Sequence, residues 1–357
     1  MRCAIIKVPT KSPSDLSGLQ SLVEQGVVVP HEVVAVMGKT EGNGCVNDFT
    51  RGYAVSALDA YFTGLLGAAA SSISYVMSGG TEGILSPHLT VISRSLDAAG
   101  AKPSGGRKSL AIGVKHTRDF LPEEIGRMVQ VEAVAEAVRS AVAEAGIESA
   151  ADVHFVQIKC PLLTTDAIHD AAERGRQVVT EDTYKSMGYS RGASALGVAA
   201  ALGEIDAAEL RESDICRAWE KYSEVASISA GSELACCEVI VFGNSAQAEG
   251  PFFIDHGVMK DAIDGEALRR MLEAHPGAEI VQVLAKAEAD PSGFVRERRH
   301  TMLNDSDINH TRHARAAVGG VLAYVCGDPM IYVSGGAEHQ GPAGGGPVAA
   351  IFRRTQS

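Results

Sequence analysis

The chain has 357 residues, 45% of them hydrophobic and 5% aromatic, with a formal net charge of −12. That length holds two or three domains and a sizeable core, while the acidity argues against nucleic-acid or anionic-membrane partners, and no apolar run reaches the length of a membrane span. Seven cysteines, an odd number without a CxxC pair, and no secretory signal at the N-terminus lead us to expect a reduced, cytoplasmic protein.

In chain order, CAIIKVP (3–9) predicts a strand, SDLSGLQSLVEQG (14–26) an amphipathic helix, and VVAVMGK (33–39) a strand ending in Lys39. A polar loop leads to FTRGYAVSAL (49–58), where Arg51 opens a second, Ala-rich helix. ISYVM (73–77) is a short strand followed by Ser78, Gly79, Gly80, Thr81 and Glu82, and LTVIS (89–93) closes the series.

The whole series recurs twice. SLAIGVKH (109–116), a long helix (123–146), VHFVQIK to Lys159, YSRGASALGVA around Arg191, VASI (225–228) and EVIVF (238–242) form the second copy. FFIDHGVM (252–259), DGEALRRMLEAHPG (264–277), IVQVLAK to Lys286, HTRHARAAVGG with Arg312 and Arg315, MIYV (330–333) and PVAAIF (347–352) form the third. After the short strand each copy carries Ser-(Gly/Ala)-Gly-x-Glu: Ser78 to Glu82, Ser229 to Glu233 and Ser334 to Glu338. A period of more than a hundred residues is too long for a solenoid and indicates related lobes.

The expected fold is therefore α/β, three β-α-β-α-β-β lobes spanning 1–104, 105–248 and 249–357. Linkers are expected where Gly, Pro and Ser collect, at 97–108 and 243–251. Sheets with helices on one face must bury the other, so a pseudo-threefold arrangement is expected, with sheets inward around a barrel-like core and helices outward.

Lysine, arginine and serine recur in order in every lobe. The lysine-to-serine separations differ widely, which excludes a local motif and points to fixed structural positions bridged by loops of unequal length. A lysine and a serine at neighbouring strand ends can form a nucleophile and base, provided that burial and nearby cations destabilise the ammonium. Small residues after the serine (Gly79, Ala230, Gly335) admit a ligand to the backbone and leave N–H groups for an oxyanion. Ala230, in place of the first glycine, sets the middle lobe apart.

Competing signals are weak. GKT (38–40) lacks the upstream glycine of a phosphate-binding loop, where Val33 stands, and GPAGGGP (341–347) is no dinucleotide fingerprint. The histidines form no HExxH or Cys/His zinc spacing. RERRH (296–300) reads as a solvated loop, and Cys160 as a buried small residue facing away from Lys159.

Long stretches, VMGKTEGNGCVNDFTR (36–51), VMSGGTEGILSPH (76–88), HFVQIKCPLLT (154–164), SMGYSRGASALG (186–197), RHTMLNDSDIN (299–309) and YVSGGAEHQGPAGGGP (332–347), closely resemble the cyanuric acid hydrolase/barbiturase family, and most nearly its cyanuric acid hydrolases. The resemblance implies a three-lobed fold and hydrolytic opening of a cyclic imide without an organic cofactor. Cyanuric acid would give carboxybiuret, then biuret; barbituric acid is the alternative ring, and a non-catalytic binder of a planar ligand the remaining one. It assigns catalysis to Lys159 and Ser229, and substrate binding to Lys39 with Ser78, Lys286 with Ser334, and the arginines Arg51, Arg191 and Arg315. The internal repeat instead aligns Arg312 with Arg51 and Arg191. The resemblance further implies one structural Mg²⁺ or Ca²⁺ held by Glu288, Ala337, Gln340, Gly341, Pro342 and Gly345, a hard-cation donor set. A homo-oligomer is also expected.

Overall fold

A computed structural model describes residues 1–96 and 107–355. Most of the first expected linker, 97–106, and the first lobe boundary with it, lie outside the described residues. Lobe one runs β1 (Arg2–Pro9), α1 (Ser17–Glu24), β2 (Val33–Thr40), α2 (Phe49–Leu66), β3 (Ser74–Gly79), β4 (His88–Ser95). Lobe two runs β5 (Ser109–His116), α3 (Met128–Glu144), β6 (Val153–Pro161), α4 (Thr165–Glu173), α5 (Thr183–Leu202), β7 (Ala226–Gly231), β8 (Glu238–Ser245). Lobe three runs β9 (Phe252–Met259), α6 (Glu266–Ala274), β10 (Glu279–Ala287), the hairpin β11 (Phe294–Val295) and β12 (Arg298–Arg299), α7 (His310–Cys326), β13 (Tyr332–Gly335), β14 (Gly346–Arg353).

The expected series is present in each copy, with two additions. Helix α4 starts where the Thr164 side chain accepts the Ala167 N–H, and the hairpin turns RERRH outward through Arg296 and Glu297, both at positive φ. Three boundaries differ from the reading above. The serines lie inside β3, β7 and β13 rather than after them, because the small signature residues still pair with the lysine strand. Arg191 lies well inside α5, whose cap is Asp182. The second linker begins inside β8, since Gly243, Asn244 and Ser245 pair with β5.

Each lobe forms one four-stranded sheet with the same order: β1-β4-β2-β3, β5-β8-β6-β7 and β9-β14-β10-β13. The second and third strands of each copy pair in parallel and the other neighbours antiparallel. The sheets stay open, so the centre is a packed meeting of three sheets and not a hydrogen-bonded barrel.

Side-chain alternation decides which face meets which neighbour. One face of all three sheets contributes to a single central core: Ile5, Met37 and Val76 from lobe one, Ile112, Phe155 and Phe242 from lobe two, Leu284, Tyr332 and Ile351 from lobe three. The opposite faces bury separate clusters under the helices, such as Leu58 and Phe62 of α2 against β2 and β3. Close helix seating needs small residues; a Cβ on Gly113 of β5 would stand 1.9 Å from the Ala141 carbonyl of α3. The lysines share parity with the central face, since Met37 and Lys39, or Leu284 and Lys286, are two apart. Every lysine therefore points toward the axis where the lobes meet.

Candidate active site

The strand register brings lysine and serine together. Lys39 lies directly opposite Ser78, Lys159 opposite Ser229 and Lys286 opposite Ser334 on adjacent parallel strands. All six side chains are at most 6% exposed. In lobes one and three the pairs touch: Lys39 Nζ donates to Ser78 Oγ at 3.1 Å and Lys286 Nζ to Ser334 Oγ at 3.0 Å.

Each lysine also crosses to the next lobe and donates to the carbonyl just before that lobe's serine. Lys39 reaches Val333 O (2.7 Å), Lys159 reaches Met77 O (2.9 Å) and Lys286 reaches Ile228 O (2.5 Å). Burial, which disfavours the ammonium, pushes all three lysines down, with Arg315 adding to the effect at Lys39 and Arg191 at Lys286.

The middle lobe breaks the pattern. Lys159 Nζ makes no bond to Ser229; it pairs with Glu233 Oε1 at 2.8 Å, which partly opposes the downward push of burial. Ser229 Oγ instead lies 2.9 Å from Ser334 Oγ. Burial alone would raise Glu233, yet Lys159 and Arg51 hold it down at about 2.

The arginines run between lobes through the signature glutamates. Arg191 binds Glu338 in a two-point fork, both contacts at 2.7 Å, and Arg315 forks onto Glu82 at 2.9 and 2.5 Å. Symmetry would pair Arg51 with Glu233, but Lys159 holds that carboxylate. Arg51 donates instead to Ala230 O at 3.1 Å and Cys45 O at 2.8 Å. Its Nε is buried without a hydrogen-bond partner, the nearest carboxylate oxygen being Asp48 Oδ2 at 4.0 Å. The second glycine of the signature follows from these forks: Gly80 has φ 105°, and a Cβ there would stand 2.6 Å from both Arg315 Nη2 and Glu82 Oε2. Arg315 is 3% exposed and Arg312 38%, its Nε 3.4 Å from Glu82, so Arg315 is the arginine in the site.

These side chains enclose one small polar cavity of about 260 Å³, counting open space at its mouth. Its wall holds Ser78, Ser229 and Ser334, Gly79, Ala230 and Gly335, and Arg51, Arg191 and Arg315, together with Gly44 and Met187. The three lysines lie behind the serines. Sequence reasoning missed the partners of these groups. The glutamates were visible in the repeated signature but had no assigned role, while Gly44 and Met187 carried no signal. Glu238 was missed too. It faces Lys159 across the antiparallel ladder, and its Oε2 is buried without a partner. Burial pushes its carboxyl up to about 7, with Lys159 opposing. Its counterpart opposite Lys39 is His88; in lobe three the register pairing Ala285 with Val348 brings Pro347 to that place.

The residues of the implied cation site lie nearby. Glu288, Ala337 and Gly341 line a single cavity beside Glu338. The Glu288 carboxylate accepts from Thr311 Oγ1 and the Ala289 N–H, both at 2.8 Å, and stands 2.9 Å from His310 Nδ1. The Gln340 side chain is committed, its oxygen to the Ile228 N–H and its Nε2 to Gly336 O and Glu338 O, leaving its backbone carbonyl as the available donor. The Ala337 and Pro342 carbonyls each accept one loop N–H, from Gln340 and Gly345, and each keeps a second lone pair. One carboxylate with loop carbonyls fits a hard dication.

Inward sheets around a pocket of serine hydroxyls, backed by buried lysines and rimmed by arginines, define a three-lobed α/β hydrolase. Residues 4–353 match the family model described as amidohydrolase ring-opening protein. The chain is 55% identical to a cyanuric acid amidohydrolase of Enterobacter cloacae, covering 99% of this chain and all of that one. It is 53% identical to another from Bradyrhizobium diazoefficiens, over 98% and 97% of the two chains. A solved cyanuric acid hydrolase from A. caulinodans superposes with a TM-score of 0.94 at 52% identity, over 99% of each chain; another, described as structural concatenation, gives 0.95 at the same identity and coverage. The chain belongs to the ring-opening amidohydrolase family.

Proposed function

We propose that this protein hydrolyses cyanuric acid, opening its ring to carboxybiuret, which loses carbon dioxide to leave biuret. The observation that carries the reading is the threefold wall of the cavity. Three serines, three small signature residues and three arginines surround a pocket that suits a planar ring with three carbonyls. The 51–55% identity to curated cyanuric acid amidohydrolases along the whole chain supports the choice of ring.

Ser229 is the nucleophile and Lys159 the base. Ser229 is the serine that receives no hydrogen bond from its own lobe's lysine, so its oxygen is not already committed there. Lys159, once neutral, takes the Ser229 proton; Oγ bonds to a ring carbonyl carbon, and the oxygen becomes an oxyanion. Arg51, whose Nε has no partner, and backbone N–H groups by Ala230 stabilise that charge. The ring C–N bond then breaks, and the nitrogen leaves with the proton carried by Lys159. Water adds to the acyl-serine, and cleavage of the ester restores Ser229. The pairs Lys39–Ser78 and Lys286–Ser334 hold the other two carbonyls. Apo contacts of this kind tighten on substrate binding, so the missing Lys159–Ser229 bond is compatible with the role.

A divalent cation on Glu288 and the carbonyls of Ala337, Gln340, Gly341, Pro342 and Gly345 would pin the loop that follows Ser334. It supplies rigidity and no step of the chemistry. No organic cofactor is needed for this hydrolysis. No helix among the described residues is long and apolar enough to cross a membrane, and all seven cysteines are free, which supports a reduced cytoplasmic setting. On α2, Phe49 (82% exposed) and Tyr53 (59%) share one side and offer a surface for a homo-oligomer.

The experiment is a substrate panel, cyanuric and barbituric acid among others, run on wild type and on Ser78→Ala, Ser229→Ala and Ser334→Ala. Ser229→Ala is expected to lower kcat for cyanuric acid on the order of 10³-fold or more. Turnover surviving in Ser229→Ala but not in a sibling moves the nucleophile to another lobe, and preference for barbituric acid changes the substrate.

A further inference from the structure

Strands β2, β6 and β10 each carry a one-residue bulge at the same place in the repeat: Val34, His154 and Val281. A bulge takes one residue out of the ladder and re-aims its side chain. In lobes one and three that residue is apolar and packs on the central core. Counting along the registers from the lysines, the first strands show Lys7, Val114 and His256 at one common position. Between lobes one and two, Val34 and Val114 line the same crevice.

Between lobes two and three, imidazoles occupy both places. His154 Nδ1 and His256 Nδ1 stand 2.8 Å apart, with the rings inclined at 65°. Asp255 adds a carboxylate oxygen 3.9 Å from His154 Nδ1, and one ligand atom from each of the three residues lies within 4.8 Å of the others. A supporting shell is in place. His275 Nε2 holds Asp255 Oδ2 at 2.8 Å, and His275 packs on the rings of Phe253 and Phe352, with centroids 4.8 and 5.2 Å away. Burial lowers both facing histidines, and His256 lowers His154 further, to about 4, so both rings are neutral. One Nδ1 carries the proton of this contact; with that proton moved to Nε2, both Nδ1 lone pairs point at one place. A valine pair serves the neighbouring seam; two imidazoles and a carboxylate bring ligand chemistry that packing does not require.

We propose that His154, Asp255 and His256 bind a first-row transition-metal dication of the zinc, cobalt or nickel class, tying lobe two to lobe three. Two imidazole nitrogens and one carboxylate oxygen suit these ions, whose bonds of about 2.0–2.2 Å set neighbouring ligand atoms roughly 3.3 Å apart in a tetrahedron. The 2.8 and 3.9 Å separations bracket that spacing. His275 is the outer partner that orients the carboxylate. The site is distinct from the oxygen-only set around Glu288 and away from the reacting serines.

The test uses the full chain, stripped of metal, titrated with Co²⁺ in excess Mg²⁺ and followed by visible ligand-field absorption. Wild type is expected to show one saturating equivalent per chain, displaced by Zn²⁺, and Zn²⁺ is expected to raise its Tm. His154→Val/His256→Val copies the Val34/Val114 seam. It should weaken Co²⁺ binding by more than ~100-fold and lose the Zn²⁺-dependent rise, since removing an outer-shell partner alone costs about 10–100-fold. His275→Gln, which leaves all three ligands in place, should weaken binding by about 10–100-fold. No saturable absorption in wild type overturns the proposal. So does an identical titration in the double variant, because the ligands would then be cysteines or other histidines.

Discussion

Glu238→Gln isolates the charge opposite Lys159. The native carboxyl titrates at about 7 against an ordinary 4.5, so its charged form is disfavoured by at most about 3 kcal/mol. The sign follows from the raised value. Below pH 4.5 the group is protonated in both folded and unfolded chains and no penalty exists. Between 4.5 and about 7 the unfolded chain ionises and the folded one does not, so wild-type stability falls as pH rises, reaching its full deficit above 7. Glutamine keeps the size, and it does not ionise. The variant should therefore match wild type near pH 4.5 and exceed it by up to about 3 kcal/mol at pH 8. Urea unfolding of both proteins at a series of pH values measures the gap. A gap independent of pH would refute the argument, because it would mean that Glu238 is ionised and solvated throughout.

Glu233→Gln removes the carboxylate that supports the Lys159 ammonium, so the ascending limb of kcat/KM against pH should move to lower pH; a limb that stays in place shows that Lys159 does not set it. Arg315→Ala should lower kcat/KM on the order of 10²-fold, the scale of one lost charge-stabilising donor, whereas Arg312→Ala should change it only slightly; kinetics on the two variants decide the third-lobe arginine. Glu288→Gln and chelator treatment should each lower Tm more than they change kcat, and a metal-free preparation that melts like the untreated enzyme removes the structural cation.

The three-lobed plan was legible because the same β-α-β-α-β-β order is written three times, and a repeated order is stronger than any one segment. The meeting of lysine and serine was legible for the same reason: both close strands, and parity turns both to one face. What could not be read was everything that depends on how the lobes follow one another around the axis. Arg191 and Glu338 are 147 positions apart, and no spacing indicates that the arginine of one lobe takes the glutamate of the next. Nor could the sequence separate Arg312 from Arg315, which lie three apart on one helix; only the packing of α7 against β13 turns Arg315 inward. Helix α4 escaped notice because it is short and lies in a connection that carries no helix in the other lobes. The sheets stay open, and the barrel-like core is held by side chains alone, which the inward faces share.

Opposite the three equivalent lysines stand His88, Glu238 and Pro347. A ring of three identical subunits could not arrange this, because any replacement in one would appear in all. Covalent continuity releases each wall from that constraint. One copy can acquire an acid, another an imidazole and the third a rigid ring, while the common frame keeps its grip on a symmetric molecule. Substitutions swapped between copies, such as Glu238→His with His88→Glu, would ask whether the identity of the reactive wall can be moved around the axis by exchanging so few atoms.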